Sequence, residues 1–464
     1  MRPLHSPLTA ATYANPRLVA SLVAVAWLSL SALITTADAQ DLISTNNRSV
    51  GGIYTDADGI LKDAAVDEQG RLARLRAQGL DPLAAPLADA TEMRKVSLRR
   101  LEAAVDQALR AGDELPDAVR YLAGLQEIRY VFAYPETNDI VLAGPGEGWK
   151  VDDQGTIVGV TTGRPVLLLD DLLVALRIAH GRVRMPISCS IDPTPEGLKR
   201  LQSLVRNLRT AGDPRVTAQA MEEALGPQRI TIAGVPESSH LARVLVAADY
   251  RMKRIAMNLD PSPVAGLPSF LKMVAGRGRG MNSMLPRWWL EPKYEPVLRD
   301  QEGLAWQLRG GRVVCKTEQD FLAETGQKRQ TGKAGPLAQR WADLMTEHYP
   351  ELAQAEPIFG QLRNCMELSI VAALIARENL TAKAAWSMPV LLDGERVEAA
   401  EFFPPKQVDT IVSPMRKGRS WSFGASGGVM INPWKITEQT DVSSTVAEAR
   451  PADQPSDPKQ WWWN

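Results

Sequence analysis

Between Leu18 and Ile34 the chain is an almost uninterrupted apolar run, preceded by a polar stretch bracketed by Arg2 and Arg17 and followed by Ala37-Asp38-Ala39. A basic n-region, an apolar h-region and a small-x-small pattern together make a secretory leader, so residues 1–39 read as a signal peptide cut between Ala39 and Gln40. The run is at the short end for a membrane span. The alanines at 37 and 39 and the polar pair Thr35-Thr36 favour cleavage over a retained anchor. No lipobox cysteine follows, and no later segment reads as long and apolar enough to cross a bilayer. The mature chain is therefore expected to be soluble and exported, to the periplasm or the cell exterior.

Beyond the leader, Ser49 to Lys62 reads as a hairpin in which Val50, Ile53, Ile60 and Leu61 flank the turn Asp56-Ala57-Asp58-Gly59. An acidic turn suggests calcium, but an EF-hand-type loop needs further oxygen ligands where Ile60 and Leu61 stand. Leu98, Leu101, Val105 and Leu109 then recur at helical spacing, predicting a helix from about Ala90 to Gly112 and a short second one to Leu122. Strand-like segments follow at Ile128 to Tyr134 and Ile140 to Ala143, with a hairpin across Asp152 to Gly155 into Thr156 to Thr161. Val166 to Leu169 and Leu172 to Ile178 are apolar enough to lie at the centre of a domain.

The middle of the chain contains two similar units. The strand Ile187 to Ile191 turns at Asp192-Pro193-Thr194-Pro195-Glu196 into a helix with Leu198, Leu201, Leu204, Val205 and Leu208 on one face. Thr194 as N-cap, Pro195 at the first helical position and Glu196 in the first turn make a strong start. The strand Ile230 to Ile232 turns through Gly234-Val235-Pro236-Glu237-Ser238 into a helix running to Tyr250. Further on, Tyr294 to Asp300 and Leu304 to Leu308 form a hairpin, with Arg312 to Cys315 as a third strand. Leu337, Trp341, Leu344 and Met345 mark one helix, and Ile358, Leu362, Met366, Ile370 and Leu374 mark its antiparallel partner beyond Tyr349-Pro350. From Ile436 the composition is too poor in large apolar groups for a core and reads as disordered.

These elements predict an α+β protein, a mixed sheet with strand-turn-helix units followed by a β-hairpin and a helical-hairpin region. The segments are a signal peptide (1–39), an N-terminal hairpin with helices (40–125), an α/β-like middle region (126–285), a hairpin plus helical region (286–435) and a disordered tail (436–464).

Charge narrows the partners. Lys plus Arg number 53 against 54 for Asp plus Glu, a formal net charge of -1. So balanced a chain has no broad field to steer nucleic acid or anionic lipid. Three cysteines, Cys189, Cys315 and Cys365, are too few for a disulfide scaffold. One bridge with one free thiol, or buried unpaired thiols, both fit. Oligomeric state is not readable.

Candidate chemistry is sparse. Gly424-Ala425-Ser426-Gly427-Gly428 matches G-x-S-x-G, but Val429-Met430-Ile431 follows where an elbow needs a helix, and no histidine occurs after His348. A glycine-rich turn into a strand is the favoured reading. His180, His240 and His348 lie far apart at helical segments, which favours capping or solvated roles; neither a metal site nor a cofactor is expected. The glycine-rich runs Gly144 to Gly148 and Gly276 to Gly280 lack phosphate-loop spacing and read as loops. Arg287-Trp288-Trp289 is an aromatic core if buried and a binding platform if exposed, the buried reading being favoured. Trp461-Trp462-Trp463 favours docking into a groove, in this protein or in a partner. If the chain is an enzyme, Asp192, Glu237, Asp249 and Arg251 are the candidate residues, because ligands gather at strand-to-helix turns.

Four runs taken together, Ser190 to Gly197, Ala247 through Asp249-Tyr250 to Lys253-Arg254, Arg287-Trp288-Trp289 and Pro357-Ile358-Phe359, give the chain up to about Pro433 a resemblance to a family of exported planctomycete proteins known only as a domain of unknown function. The resemblance implies export and a bacterial envelope setting and assigns no catalytic residue. The expectation is a binding or structural module of the envelope, partnered by an envelope protein or a polysaccharide. The rival is a secreted hydrolase with carboxylates and arginines at the turns near Asp192 and Glu237.

Overall fold

The computed structural model describes residues 49–64, 70–207, 214–275, 285–322, 328–330, 334–412, 415–417, 420–422, 426–450, 454–457 and 459–464. The expected leader, with its expected cleavage point at Ala39 and Gln40, and the run Gly276 to Gly280 lie outside them.

Strands β1 (Ile53–Thr55) and β2 (Ile60–Asp63) form the expected hairpin. Asp56 Oδ1 closes its turn by accepting from Asp58 N and Ile60 N at 3.0 and 2.9 Å. The helical spacing read from Ala90 begins too early: Thr91–Ser97 is strand β3, and helix α1 spans Leu98–Ala111. Ser97 divides them, its Oγ accepting from Arg100 N at 3.1 Å as an N-cap. Next come β4 (Tyr130–Tyr134), β5 (Asp139–Gly146) and the hairpin of β6 (Trp149–Val151) and β7 (Ile157–Gly159). The central apolar run is helix α2 (Leu169–His180). β8 (Ile187–Asp192) enters α3 (Pro195–Asn207), where Thr194 Oγ1 accepts from Gly197 N at 3.0 Å. The spacing missed α4 (Pro214–Leu225), which precedes β9 (Gln228–Ala233) and α5 (His240–Ala256).

The second half contributes β10 (Leu285–Lys293), β11 (Val297–Arg299), β12 (Ala305–Gln307), β13 (Arg312–Leu322) and β14 (Lys328–Gln330). Helices α6 (Pro336–Glu347) and α7 (Pro357–Arg377) are joined by a further helix, Tyr349–Ala355, rather than by a turn. The chain closes with β15 (Gln407–Val408), the hairpin of β16 (Met415–Lys417) and β17 (Ser420–Ser422), β18 (Ser426–Ile431), β19 (Thr440–Val442), α8 (Ser444–Glu448) and β20 (Trp462–Trp463).

The fold is α+β, built on a nine-stranded sheet of order β1-β2-β15-β9-β8-β18-β10-β13-β14 and a seven-stranded sheet of order β19-β11-β12-β4-β5-β3-β20. Boundaries at 125 and 285 do not separate spatial units, because each sheet takes strands from before, between and after them. β13 is likewise no third strand of the hairpin: it pairs with β10 in the larger sheet, whereas β11 and β12 sit in the smaller one.

Helix α7 explains how one chain serves two cores. Ile358, Phe359, Leu362 and Met366 pack into the core that also contains Trp288 and α5, while Leu368 and Ile370 to Ile375 pack into the core with α1 and α2. A helix apolar on every side must be buried on every side. By length and composition α7 is apolar enough to cross a membrane, contrary to the reading that no such segment follows the leader, and 89% of that window is buried here.

The expectation of a disordered tail also fails. β19 pairs in parallel with β11 at one edge of the seven-stranded sheet and β20 pairs antiparallel with β3 at the other. Val446 on α8 is buried between them against Phe132, Tyr134, Val141, Ala143 and Ala305. Backbone pairing needs few apolar side chains, which is why composition missed it. Trp461 is buried and Trp462 and Trp463 are half-buried, so the tryptophans dock on their own chain.

Candidate functional site

Antiparallel pairing decides which candidates can meet. β8 and β9 run in opposite directions, with Asp192 opposite Arg229 and Ser188 opposite Ala233. The turn after β8 therefore leaves one end of the sheet and the turn after β9 leaves the other. Asp192 and Glu237 are not brought together, and Glu237 is exposed. Gathering of turns at one edge requires parallel strands.

Asp192 lies instead beside Asp249 and Lys253 near the C-terminal end of α5. That helix starts at Ser239, whose Oγ accepts from Ala242 N at 3.2 Å, and buries an almost continuous apolar stretch from Leu241 to Ala248. Asp249 and Lys253, one turn apart, interrupt it. The ammonium is satisfied on all three protons: Nζ donates to Asp249 Oδ2 at 2.9 Å, Ile191 O at 2.7 Å and Gly427 O at 3.2 Å. Burial pushes the Asp249 carboxyl up to about 7, against the pull of Lys253 and with some help from Asp192. Asp249 Oδ1 and Ser426 Oγ are buried without a hydrogen-bond partner among the described residues.

Ser426 belongs to no nucleophile elbow. It opens β18, the strand between β8 and β10, and is itself buried. Its glycines serve close approach: a Cβ at Gly427 would collide with the Trp288 carbonyl, and one at Gly428 with the Cys189 carbonyl. The strand expected after the glycines is present from Ser426, in mid-sheet, and Gly424-Ala425 lie outside the described residues.

The remaining candidates scatter. Arg251 pairs with Asp260 and donates from Nε to Glu356 Oε2 at 3.2 Å, tying α5 to the residue before α7. Arg254 joins this network through Asp260 at 2.7 Å. Strand alternation splits Arg287-Trp288-Trp289. Trp288 is fully buried, donates to Ala338 O at 3.2 Å and packs 4.6 Å from Trp341 between ring centroids. Arg287 and Trp289 share the other face, with the guanidinium 5.5 Å from the indole centroid. All three cysteines are free and buried.

At the opposite end of α5 the structure assembles a pair that spacing did not suggest. His240 Nδ1 lies 3.0 Å from both carboxylate oxygens of Asp171, 69 positions earlier on α2. The histidine side chain is only 12% exposed, so its expected capping or solvated role does not hold. Burial alone would lower its pKa, but Asp171, by charge and hydrogen bond, and Asp170 hold it above the ordinary value. Cys365 Sγ donates to Asp171 Oδ2 at 3.6 Å, and burial keeps that thiol protonated. The carboxylate sits between imidazole and thiol, so the histidine is not placed to activate the cysteine. His180 and His348 do fit helix-end roles: Nδ1 of His180 lies 2.9 Å from Leu176 O, and that of His348 lies 2.6 Å from Glu351 Oε2. A further buried acid, Glu367 on α7, accepts from Ile128 N at 2.5 Å, and burial pushes it up to about 8. Among the described residues no cluster of three His, Cys, Asp or Glu side chains could hold a metal.

Beside the His240 pair opens a cleft of about 1010 Å³ between α2, the start of α5 and residues 394–401. Arg177, Ser238, Ser239, Glu395, Glu398 and Glu401 carry its polar lining. Arg177 is the one cation among them, and its guanidinium already donates to Leu391 O, Asp393 O and Val397 O at 3.0, 3.2 and 2.7 Å. Segment 394–402 is fixed to the helix start by Phe402 N donating to Ser238 O at 2.8 Å. The cleft is therefore a braced concavity with a negative rim.

No curated protein and no solved structure matches the chain. Residues 189–270, which run from β8 through all of α5 and include Asp192, Glu237, His240, Asp249 and Lys253, match the family described as Protein of unknown function (DUF1598).

Proposed function

We propose that the protein is a binding module of the bacterial envelope, exported by its leader, which takes a cationic segment of an envelope protein in the cleft beside His240. One observation carries this reading: three carboxylates, Glu395, Glu398 and Glu401, rim the concavity against a single arginine, Arg177, which is turned onto the carbonyls of Leu391, Asp393 and Val397. Unneutralised acidic groups around low-dielectric walls attract cations. Lysine- or arginine-bearing protein suits such a rim better than a neutral polysaccharide, the other partner expected from the sequence. The leader read at residues 1–39 supports export. Non-convergence of Asp192 and Glu237 removes the premise of the hydrolase reading as first framed.

Calorimetric titration with tetralysine tests the reading, with a neutral oligosaccharide in parallel. Binding of tetralysine that weakens with salt, and that falls in Glu398→Gln and Glu401→Gln, is the expected result. Binding of the sugar alone, or tetralysine binding untouched by both substitutions, overturns it.

A further inference from the structure

A second cleft, of about 710 Å³, opens along one face of α1. Arg99, Ala103, Asp106 and Arg110 follow one another there at helical spacing, so they stand in line on the helix surface. Ala103 is the short member of that line and leaves room for the hollow. Trp386, Pro389 and Arg396 supply the facing wall. Glu102 ties the two walls together, accepting from Trp386 Nε1 at 3.1 Å, Val390 N at 2.8 Å and Leu391 N at 2.9 Å. The half-buried indole is therefore held by its edge in a fixed orientation.

The charges of this cleft divide by depth. Four carboxylates and four arginines line it, but Glu102 and Asp139 are buried. Asp139 accepts from Ser97 Oγ at 2.6 Å and Arg99 N at 3.2 Å, and burial raises its carboxyl above the ordinary value. Glu136 is paired with Arg450 at 2.7 Å, and Arg100 is turned onto the carbonyls of Pro455, Asp457 and Gln460. Asp106 serves two guanidinium groups at once, Arg110 at 2.7 Å and Arg396. Arg99, Arg110 and Arg396 are exposed. Beyond the Glu136–Arg450 pair, the open side thus sets three guanidinium groups against one carboxylate, the reverse of the cleft beside His240.

We infer that this second cleft binds an acidic saccharide, a sugar chain bearing carboxylate groups. Guanidinium groups grip a carboxylate through two parallel hydrogen bonds. A fixed indole beside them offers the apolar face of a sugar ring a flat, partly wet surface. An acidic peptide would use the arginines and leave the tryptophan idle. The site stands independently of the cation-binding reading of the cleft beside His240.

Calorimetric titration of the protein with tetragalacturonate tests it, with cellotetraose and tetraglutamate in parallel. Tetragalacturonate should bind at least about tenfold more tightly than either control, and more weakly as salt rises. Arg99→Gln and Arg396→Gln should each weaken binding about tenfold. Ala103→Leu, which fills the hollow and keeps every charge, should weaken it at least as much. Arg340→Gln removes the same charge from the exposed surface of α6 and should change nothing. All four substitutions are at exposed positions, where the fold tolerates them. Absence of binding overturns the assignment, as does tetraglutamate binding as tightly as the sugar acid. Equal losses in Arg340→Gln and Arg396→Gln, or binding unmoved by Ala103→Leu, overturn it as well.

Discussion

Helix α5 holds charge at both ends, in opposite ways. Near its C-terminus, Lys253 and Asp249 are buried between β8 and β18, and every ammonium proton is used. Near its N-terminus, His240 and Asp171 are nearly as buried, and the acidic cleft opens one residue away, at Ser239. A sealed and satisfied pair fixes register between helix and sheet. A pair next to an open concavity fixes the helix start that shapes it. Asp249, Lys253 and His240 lie within the family-matched segment, and Asp171 lies outside it.

The largest effect should come from breaking the sealed pair. Lys253→Met leaves Asp249 and two carbonyls buried without their donor and is expected to destabilise by about 3–5 kcal/mol in chemical denaturation. A loss under about 1 kcal/mol would mean that water reaches the site.

Acid titration separates the two ends next. The folded-state pKa of Asp249 stands at about 7, above its unfolded value near 3.9, so the folded protein binds its proton more tightly. Stability from this group is complete below about pH 4 and is lost as pH rises to about 7, with a limiting slope of about 1.4 kcal/mol per pH unit. Asp249→Asn should remove that slope from the wild-type curve. His240, also raised, contributes below about pH 6.5 and loses that contribution as pH rises through its folded value. His240→Gln should flatten only this upper part, and coincident changes in both variants would show the two ends to be one coupled system.

Smaller effects complete the series. Thr194→Ala removes the cap of α3 and should cost about 1 kcal/mol in thermal unfolding. Glu237→Gln, on an exposed turn far from Asp192, should stay within about 0.5 kcal/mol.

Local chemistry was legible wherever a short stretch decides the outcome. Asp56 to Gly59 made the turn, Thr194-Pro195-Glu196 started its helix, and Gln301 to Gly303 closed the β11–β12 hairpin. Thr91 to Ser97 was misread because Met93 and Val96 suit either period, and only pairing with β5 settles the matter. Asp171 and His240 left no trace in spacing, since 69 residues separate them and their meeting depends on how α2 and α5 pack. The runs used for the resemblance did fall on structural junctions: Asp192 to Gly197 on the β8–α3 turn, and Asp249 to Lys253 on the sealed pair.

The position of β18 has a consequence for how the chain reaches this state. It stands between β8 and β10, with four strands beyond β8 on one side and two beyond β10 on the other, yet it is built from residues 426–431 of 464. Emerging N-terminus first, the chain holds most of its larger sheet as two unjoined halves until more than nine-tenths of it is available. Contacts of such sequence separation are closed late. The incomplete chain thus remains uncommitted until β18 is present, and a chain ending before β18 leaves two open edges at the heart of the protein, prone to pair with other chains.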